Sequence, residues 1–240
     1  GNNPLIGWDP AEGDAAVDIA AQSAFLTTGQ RCSCARRVIL PEGNWGDQVV
    51  DAIVERARGL TIGSWQDEGA FMGPLVSEQA AQNAVDFQIM LSKAGGKPLR
   101  RLKRMDRGSG FVTAGVIDVT DARNVPDEEL FGPLMQIIRV PDFDTAIARA
   151  NDTRYGLSGG LVSDDDTLGA RAHSEMRAGI LNRNCPTAGA SGAMPFGGPG
   201  LSGNFRPGAY YAADYCAWPQ ASQVADSATR LGAIGFPGGD

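Results

Sequence analysis

Cys32 lies in Gly29-Gln30-Arg31-Cys32-Ser33-Cys34, a glycine-led turn between an apolar helical run and a β-like run, Ala35 to Leu40. A thiolate attacks an electrophilic carbon far better than a thiol does. A reactive cysteine therefore needs exposure and positive charge nearby, which Arg31 could supply. The competing reading is a structural cysteine buried as a small hydrophobe, and the local sequence alone favours it. Cys34 follows at C-x-C spacing, and because alternate residues of an extended segment share a face, Cys34 is expected to point the same way as Cys32. Cys185 and Cys216 complete a set of four, but structural zinc sites pair their cysteines in short knuckles and these two stand alone, so a metal site is disfavoured. The one histidine, His173, sits in a polar helical stretch and reads as a surface residue. Without a second, a Ser-His-Asp triad or a multi-histidine metal site is hard to build.

The elements that must position this turn alternate between strand and helix signals. Pro4 to Trp8 reads as a short buried strand, and Asp14 as the cap of a helix, apolar nearly all round, that runs to Phe25. Arg37 to Leu40 is the next strand. Asp47 to Arg58 is an amphipathic helix stopped by Gly59, and Ser77 opens a helix with Ala81, Val85 and Ile89 inward. Phe111 to Val119 and Leu134 to Val140 are β-like. Asp142 or Asp144 caps a helix to Ala150, Gly160 to Ser163 is a strand, Asp166 to Met176 a helix and Gly179 to Asn182 a strand. Strands separated by helices predict an α/β fold, a mainly parallel sheet with helices on both faces. From Asn184 to Phe205 the periodicity gives way to Gly, Ser, Ala and Pro, a long shaped loop. Residues 1–219 form one domain in this reading, and 220–240 a polar tail, an arm or a disordered end.

Composition excludes several classes. The net charge is −7, and the one basic run, Leu99 to Arg104, reads as a solvated loop, so nucleic acid is a poor partner. No segment is long and apolar enough for a membrane helix. Four unevenly spaced cysteines make no disulfide framework, which with the lack of a secretory segment points to the cytoplasm.

Four landmarks then occur in one order. They are Gly1-Asn2-Asn3-Pro4, Gly29-Gln30-Arg31-Cys32, Glu129-Leu130-Phe131-Gly132-Pro133, and Pro195-Phe196-Gly197-Gly198 followed by Ser202-Gly203. Together they resemble the catalytic domain of the NAD(P)-dependent aldehyde dehydrogenase family. They match the end of its E-L-G-G-x-x-P segment, its G-Q-x-C nucleophile motif, E-x-F-G-P and P-F-G-G-x-x-x-S-G. The stretches Gly29 to Arg37, Asn184 to Ala190 and Arg206 to Pro219 further resemble members that act on the succinylated glutamate semialdehyde of arginine breakdown. The resemblance implies that Cys32 is the nucleophile, forming a thiohemiacetal and then a thioester. It also implies that Glu129 binds the cofactor ribose, that Phe131 packs near the nicotinamide, and that Phe196 lines the substrate funnel. A small-molecule aldehyde with two carboxylates needs local cations, and Arg206 is the first candidate, Arg31 the second.

The resemblance also implies that a general-base glutamate, an oxyanion-binding asparagine and a nucleotide-binding domain precede Gly1. The expectation is therefore that these residues alone bind no NAD (or NADP) and oxidise no aldehyde, whereas the intact parent does both, as a homo-oligomer. Two other functions remain open: an NAD-independent thiol esterase or acyl transferase using Cys32, and a non-catalytic assembly fragment.

Overall fold

The computed structural model describes residues 1–108 and 110–230. Its centre is a 7-stranded sheet built from β1 (Asn3–Gly7), β2 (Ala35–Pro41), β3 (Lys97–Arg100), β4 (Gly115–Asp118), β5 (Leu134–Val140), β6 (Ser158–Val162) and β7 (Ile180–Arg183). The order across it is β3-β4-β5-β2-β1-β6-β7, and every neighbouring pair is parallel except β3 with β4. The helices packed on the sheet are α1 (Gly13–Phe25), α2 (Asn44–Gly59), α3 (Glu78–Lys93), α4 (Phe143–Asn151) and α5 (Asp166–Glu175). Strand alternation sorts adjacent residues into two cores. Leu5, Val38, Val116 and Ile137 pack with α1 and α2 on one face, and Ile6, Ile39, Ile117 and Ile138 with α3, α4 and α5 on the other. Each large aliphatic side chain fully buried this way contributes about 1.5–3 kcal/mol. The α/β reading, with helices on both faces, holds.

The departures have local causes. The α1 helix starts at Gly13 with no side-chain cap, and Asp14 lies in its first turn instead. The α2 helix begins three residues before Asp47, which is turned toward Arg139 at 2.7 Å. Ser77 does cap α3 through the Ala80 N–H, but the buried stripe runs through Ala81, Ala84, Gln88 and Leu91, leaving Ile89 45 % exposed. Only Gly115–Asp118 of the β-like run from Phe111 joins the sheet. The basic run is no solvated loop at its start: Lys97–Arg100 pairs antiparallel with β4 as an edge strand, and Leu102 is buried. Lysine and arginine on an edge discourage pairing with another chain. His173 is exposed on α5, as read. Within the late loop, β8 (Pro195–Phe196) pairs antiparallel with β9 (Gly208–Ala209). Residues 220–230 are exposed and form neither helix nor strand, and the part of the tail reading that falls on 231–240 lies outside the described residues.

Candidate active site

Open α/β sheets ordinarily bind ligands beyond the carboxyl ends of their strands. Here the chemistry-bearing residues gather at the opposite edge, because the Cys32 turn precedes β2, the Glu129 turn precedes β5 and Asn2 precedes β1. The turn is reached through a backbone of the left-handed hand. Thr27 (φ 56°), Thr28 (φ 58°) and Gly29 (φ 69°) succeed one another, and only the glycine adopts this conformation without steric cost. Side chains hold the two threonines there. The Thr28 hydroxyl donates to the Gly73 carbonyl at 2.9 Å, and the Thr27 hydroxyl accepts from Arg31 Nε at 2.8 Å. Gln30 ties the turn to the neighbouring segment, donating to the Pro74 carbonyl at 3.3 Å and accepting from the Val76 N–H at 2.8 Å.

Cys32 is exposed and Cys34 buried, so the two do not share a face as C-x-C spacing implied. Residues 31–34 form a turn rather than a strand, and alternation begins only at Ala35. Burial pushes the Cys34 thiol up, against the opposing charge of Arg36, which leaves it protonated near neutrality. The Cys32 and Cys34 carbonyls both accept from Asn3 Nδ2, at 2.7 and 2.8 Å, while Asn3 Oδ1 accepts from the Ser158 N–H at 3.1 Å. One buried amide thus locks the turn to β1 and β6. The Cys32 N–H has no acceptor among the described residues and is free to serve a ligand oxygen. Among those residues, no group of three or more His, Cys, Asp or Glu side chains could hold a metal ion.

The Glu129 turn abuts the cysteine turn directly. A Cβ at Gly29 would run into the Gly132 carbonyl, so backbone meets backbone there. Glu129 is half-buried; one carboxylate oxygen lies against the Gly1 nitrogen, and the other, Oε1, is buried without a partner among the described residues. Phe131 is 45 % exposed and offers a free ring face. An orphaned acceptor beside an open aromatic face fits a ribose hydroxyl next to a planar ring. A cleft of about 510 Å³ opens alongside, lined by Asn83, Phe87, Met90, Glu129 and Phe131. Asp127 anchors the segment, accepting from Asn2 Nδ2 at 3.0 Å, Thr153 Oγ1 at 2.7 Å and the Arg154 N–H at 2.7 Å. Burial acts to raise its pKa, but these hydrogen bonds outweigh burial and hold it below the usual carboxylate value.

The late loop lies over the start of β6 and β7. A Cβ at Gly198 would collide with the Gly156 carbonyl, and one at Gly179 with Gly197. The Gly156 N–H donates to Ser202 Oγ at 3.1 Å. Phe196 is partly buried, and Arg206 is exposed on the wall of a cleft of about 330 Å³ lined by Gly179, Pro195, Gly197 and Phe205. Arg31 is exposed and turned to Thr27. The structure thus brings the Cys32 and Glu129 turns into contact and places Phe196 and Arg206 in a separate loop on the same sheet edge. Sequence reasoning missed Asn3 and Arg36, both buried. Their signal was a polar residue inside an apolar strand, the amide pair before Pro4-Leu5-Ile6 and the arginine pair after Ala35.

A model of the aldehyde dehydrogenase family matches residues 1–220. The chain is 53% identical over 228 residues to an N-succinylglutamate 5-semialdehyde dehydrogenase of Chromobacterium violaceum, covering 95% of this chain and 47% of that protein. It spans about half the length of the curated relatives it matches. Among solved structures, aldehyde dehydrogenase 21 from Physcomitrella patens in complex with the reaction product succinate superposes with a TM-score of 0.80 at 30% identity, over 89% of this chain and 44% of that one. A 1-pyrroline-5-carboxylate dehydrogenase from Thermus with bound NAD gives 0.78 at 33% identity, over 85% and 39%.

Proposed function

The chain belongs to the aldehyde dehydrogenase family, and from that premise we propose that the intact protein uses NAD or NADP to oxidise N-succinyl-L-glutamate 5-semialdehyde to N-succinyl-L-glutamate. Residues 1–219 are its catalytic domain in this proposal, and 220–240 a C-terminal tail. The observation that carries it is the exposed Cys32 on a turn in direct contact with the Glu129 and Phe131 turn. Cys32 Sγ attacks the aldehyde carbon, and as the S–C bond forms the carbonyl π pair moves to oxygen, giving a thiohemiacetal. The Cys32 N–H is the donor this chain offers to that oxygen. Glu129 Oε1, which has no partner among the described residues, would accept from a ribose hydroxyl, and the exposed Phe131 ring would pack against the nicotinamide. When bound, that group supplies the hydride acceptor. Loss of hydride from carbon, which the bound cofactor would accept, together with loss of the hydroxyl proton leaves a thioester on Cys32; water then cleaves the S–C bond, returning the thiol and releasing the carboxylate and a proton. Arg206 grips a substrate carboxylate, with Phe196 on the funnel wall and Arg31 as a second cation.

A homo-oligomer in the cytoplasm completes the proposal. The four free cysteines fit a reducing compartment. The exposed Met194, Leu201, Tyr210, Tyr215 and Trp218 supply an apolar surface for self-association. The test is NADH formation from the succinylated semialdehyde by the full-length protein. Cys32→Ser is expected to lower kcat at least about 10³-fold, and a Cys32→Ser enzyme that kept its rate would end the assignment of Cys32.

A further inference from the structure

Arg36 lies within β2 and is only 1 % exposed, yet among the described residues it has no carboxylate partner. Only carbonyls accept from its guanidinium. Nη2 donates to the Gly29 carbonyl at 2.6 Å and to the Arg31 carbonyl at 3.1 Å, both in the nucleophile turn. Nη1 donates to the Gly132 carbonyl at 3.3 Å, in the neighbouring turn, and Nε is buried without a partner. The guanidinium carbon stands 5.6 Å from the centre of the Phe131 ring. A cation kept in the interior without a counter-charge costs more than an apolar residue of similar volume would. Filling space does not account for it. What the arginine does and a methionine could not is bond to both turns at once while its charge lies beneath them. Burial lowers its pKa, and the groups that oppose this are Cys34, Glu129 and Cys32, drawn from the same two turns.

We propose that Arg36 is a positioning residue that clasps the Cys32 turn to the Glu129–Pro133 turn and places a positive charge beneath Cys32. The roles of the two turns rest on the dehydrogenase reading; the clasp itself does not. The four free cysteines supply the test. In the 240-residue chain, alkylation by iodoacetamide is followed residue by residue by mass spectrometry at neutral pH. Cys32 reports the site, exposed Cys185 and Cys216 report ordinary thiol reactivity, and buried Cys34 reports the fold.

With Arg36→Met, Cys32 is expected to react about tenfold more slowly relative to Cys185 while Cys34 stays protected, because the turn that presents its sulfur loses the hydrogen bonds that fix it and the cation that would stabilise charge during attack. Arg36→Lys, which keeps the charge and part of the bonding, is expected to recover most of the rate. If Arg36→Met opens the fold, seen as labelling of Cys34, Arg36→Gln decides in its place. A Cys32 to Cys185 ratio equal to that of the unaltered chain in a folded neutral variant would overturn the proposal. In the full-length protein the neutral variants are expected to lower kcat about 10²-fold with little change in aldehyde KM, and Arg36→Lys to recover most of it, as misplacement of a nucleophile predicts. Labelling needs no turnover, so the two readings fail separately. Selective slowing in a protein that oxidised no aldehyde would retire the dehydrogenase and keep the clasp, and turnover with unaltered labelling in the neutral variants would do the reverse.

Discussion

The Cys32 turn and the glycine loop from Pro195 to Pro207 stand at the same edge of the sheet and are held there by different means. Side chains hold the first: Asn3, Thr28, Gln30 and Arg36 each bond to its backbone or bind it to its neighbours, and three are conspicuous polar groups in or beside apolar elements. The second is held at its base mainly by backbone lying on backbone, Gly198 on Gly156 and Gly197 on Gly179, with one side-chain bond, Ser202 Oγ accepting from the Gly156 N–H, while its tip, Phe205 and Arg206, is exposed. A seat made of side-chain bonds fixes one atom in one place, which a nucleophile requires. A loop packed through glycines fixes its base and leaves its tip to be completed by whatever docks there. Under the proposed function, the first would carry the chemistry and the second would select what reaches it.

Asn3→Ala probes this contrast most severely. It leaves the Ser158 N–H and the Cys32 and Cys34 carbonyls without their partner, and is expected to cost about 3 kcal/mol, read from the urea midpoint. Cys34 should become open to alkylation as the turn loosens. Stability equal to that of the unaltered chain would show that the turn is not held by side chains, and the comparison would fall. Gly29→Ala comes next, at about 2 kcal/mol, since it adds a Cβ at positive φ against the Gly132 carbonyl. Its specific signature is slower Cys32 labelling, because the two turns are forced apart. Arg206→Ala sharpens the other side. Exposed at the loop tip, it is expected to leave stability within about 0.5 kcal/mol of the original. In the full-length protein it should raise the KM for the dicarboxylic semialdehyde about tenfold and leave a neutral aldehyde untouched. Equal KM changes for both aldehydes would remove Arg206 from carboxylate recognition.

Much of the frame was legible in the residues because it depends on near neighbours. The Ser77 cap, the helix after Asp142 and the strand Leu134–Val140 all appear where periodicity and capping chemistry put them. Errors arose where a neighbour distant in sequence intervenes. Ile89 points outward because the sheet beneath α3 presses on the stripe of Ala84 and Leu91. The basic run became an edge strand because β4 offered it a partner. The same limit governs the site. Arg31 looked like the cation beside Cys32 because it is adjacent in sequence, whereas the buried cation under the turn is Arg36, on the strand that follows.

By itself, then, the sequence determined which atoms could react and the alternation of strand and helix that would carry them, since residue identity and periodicity are local properties of a chain. The tertiary structure decided which arginine went inside, that Cys34 was buried while Cys32 was not, and that Gly29 would rest on Gly132. Those outcomes depend on the strand order that sets β2 between β1 and β5, and so on groups about a hundred positions apart brought within hydrogen-bond reach.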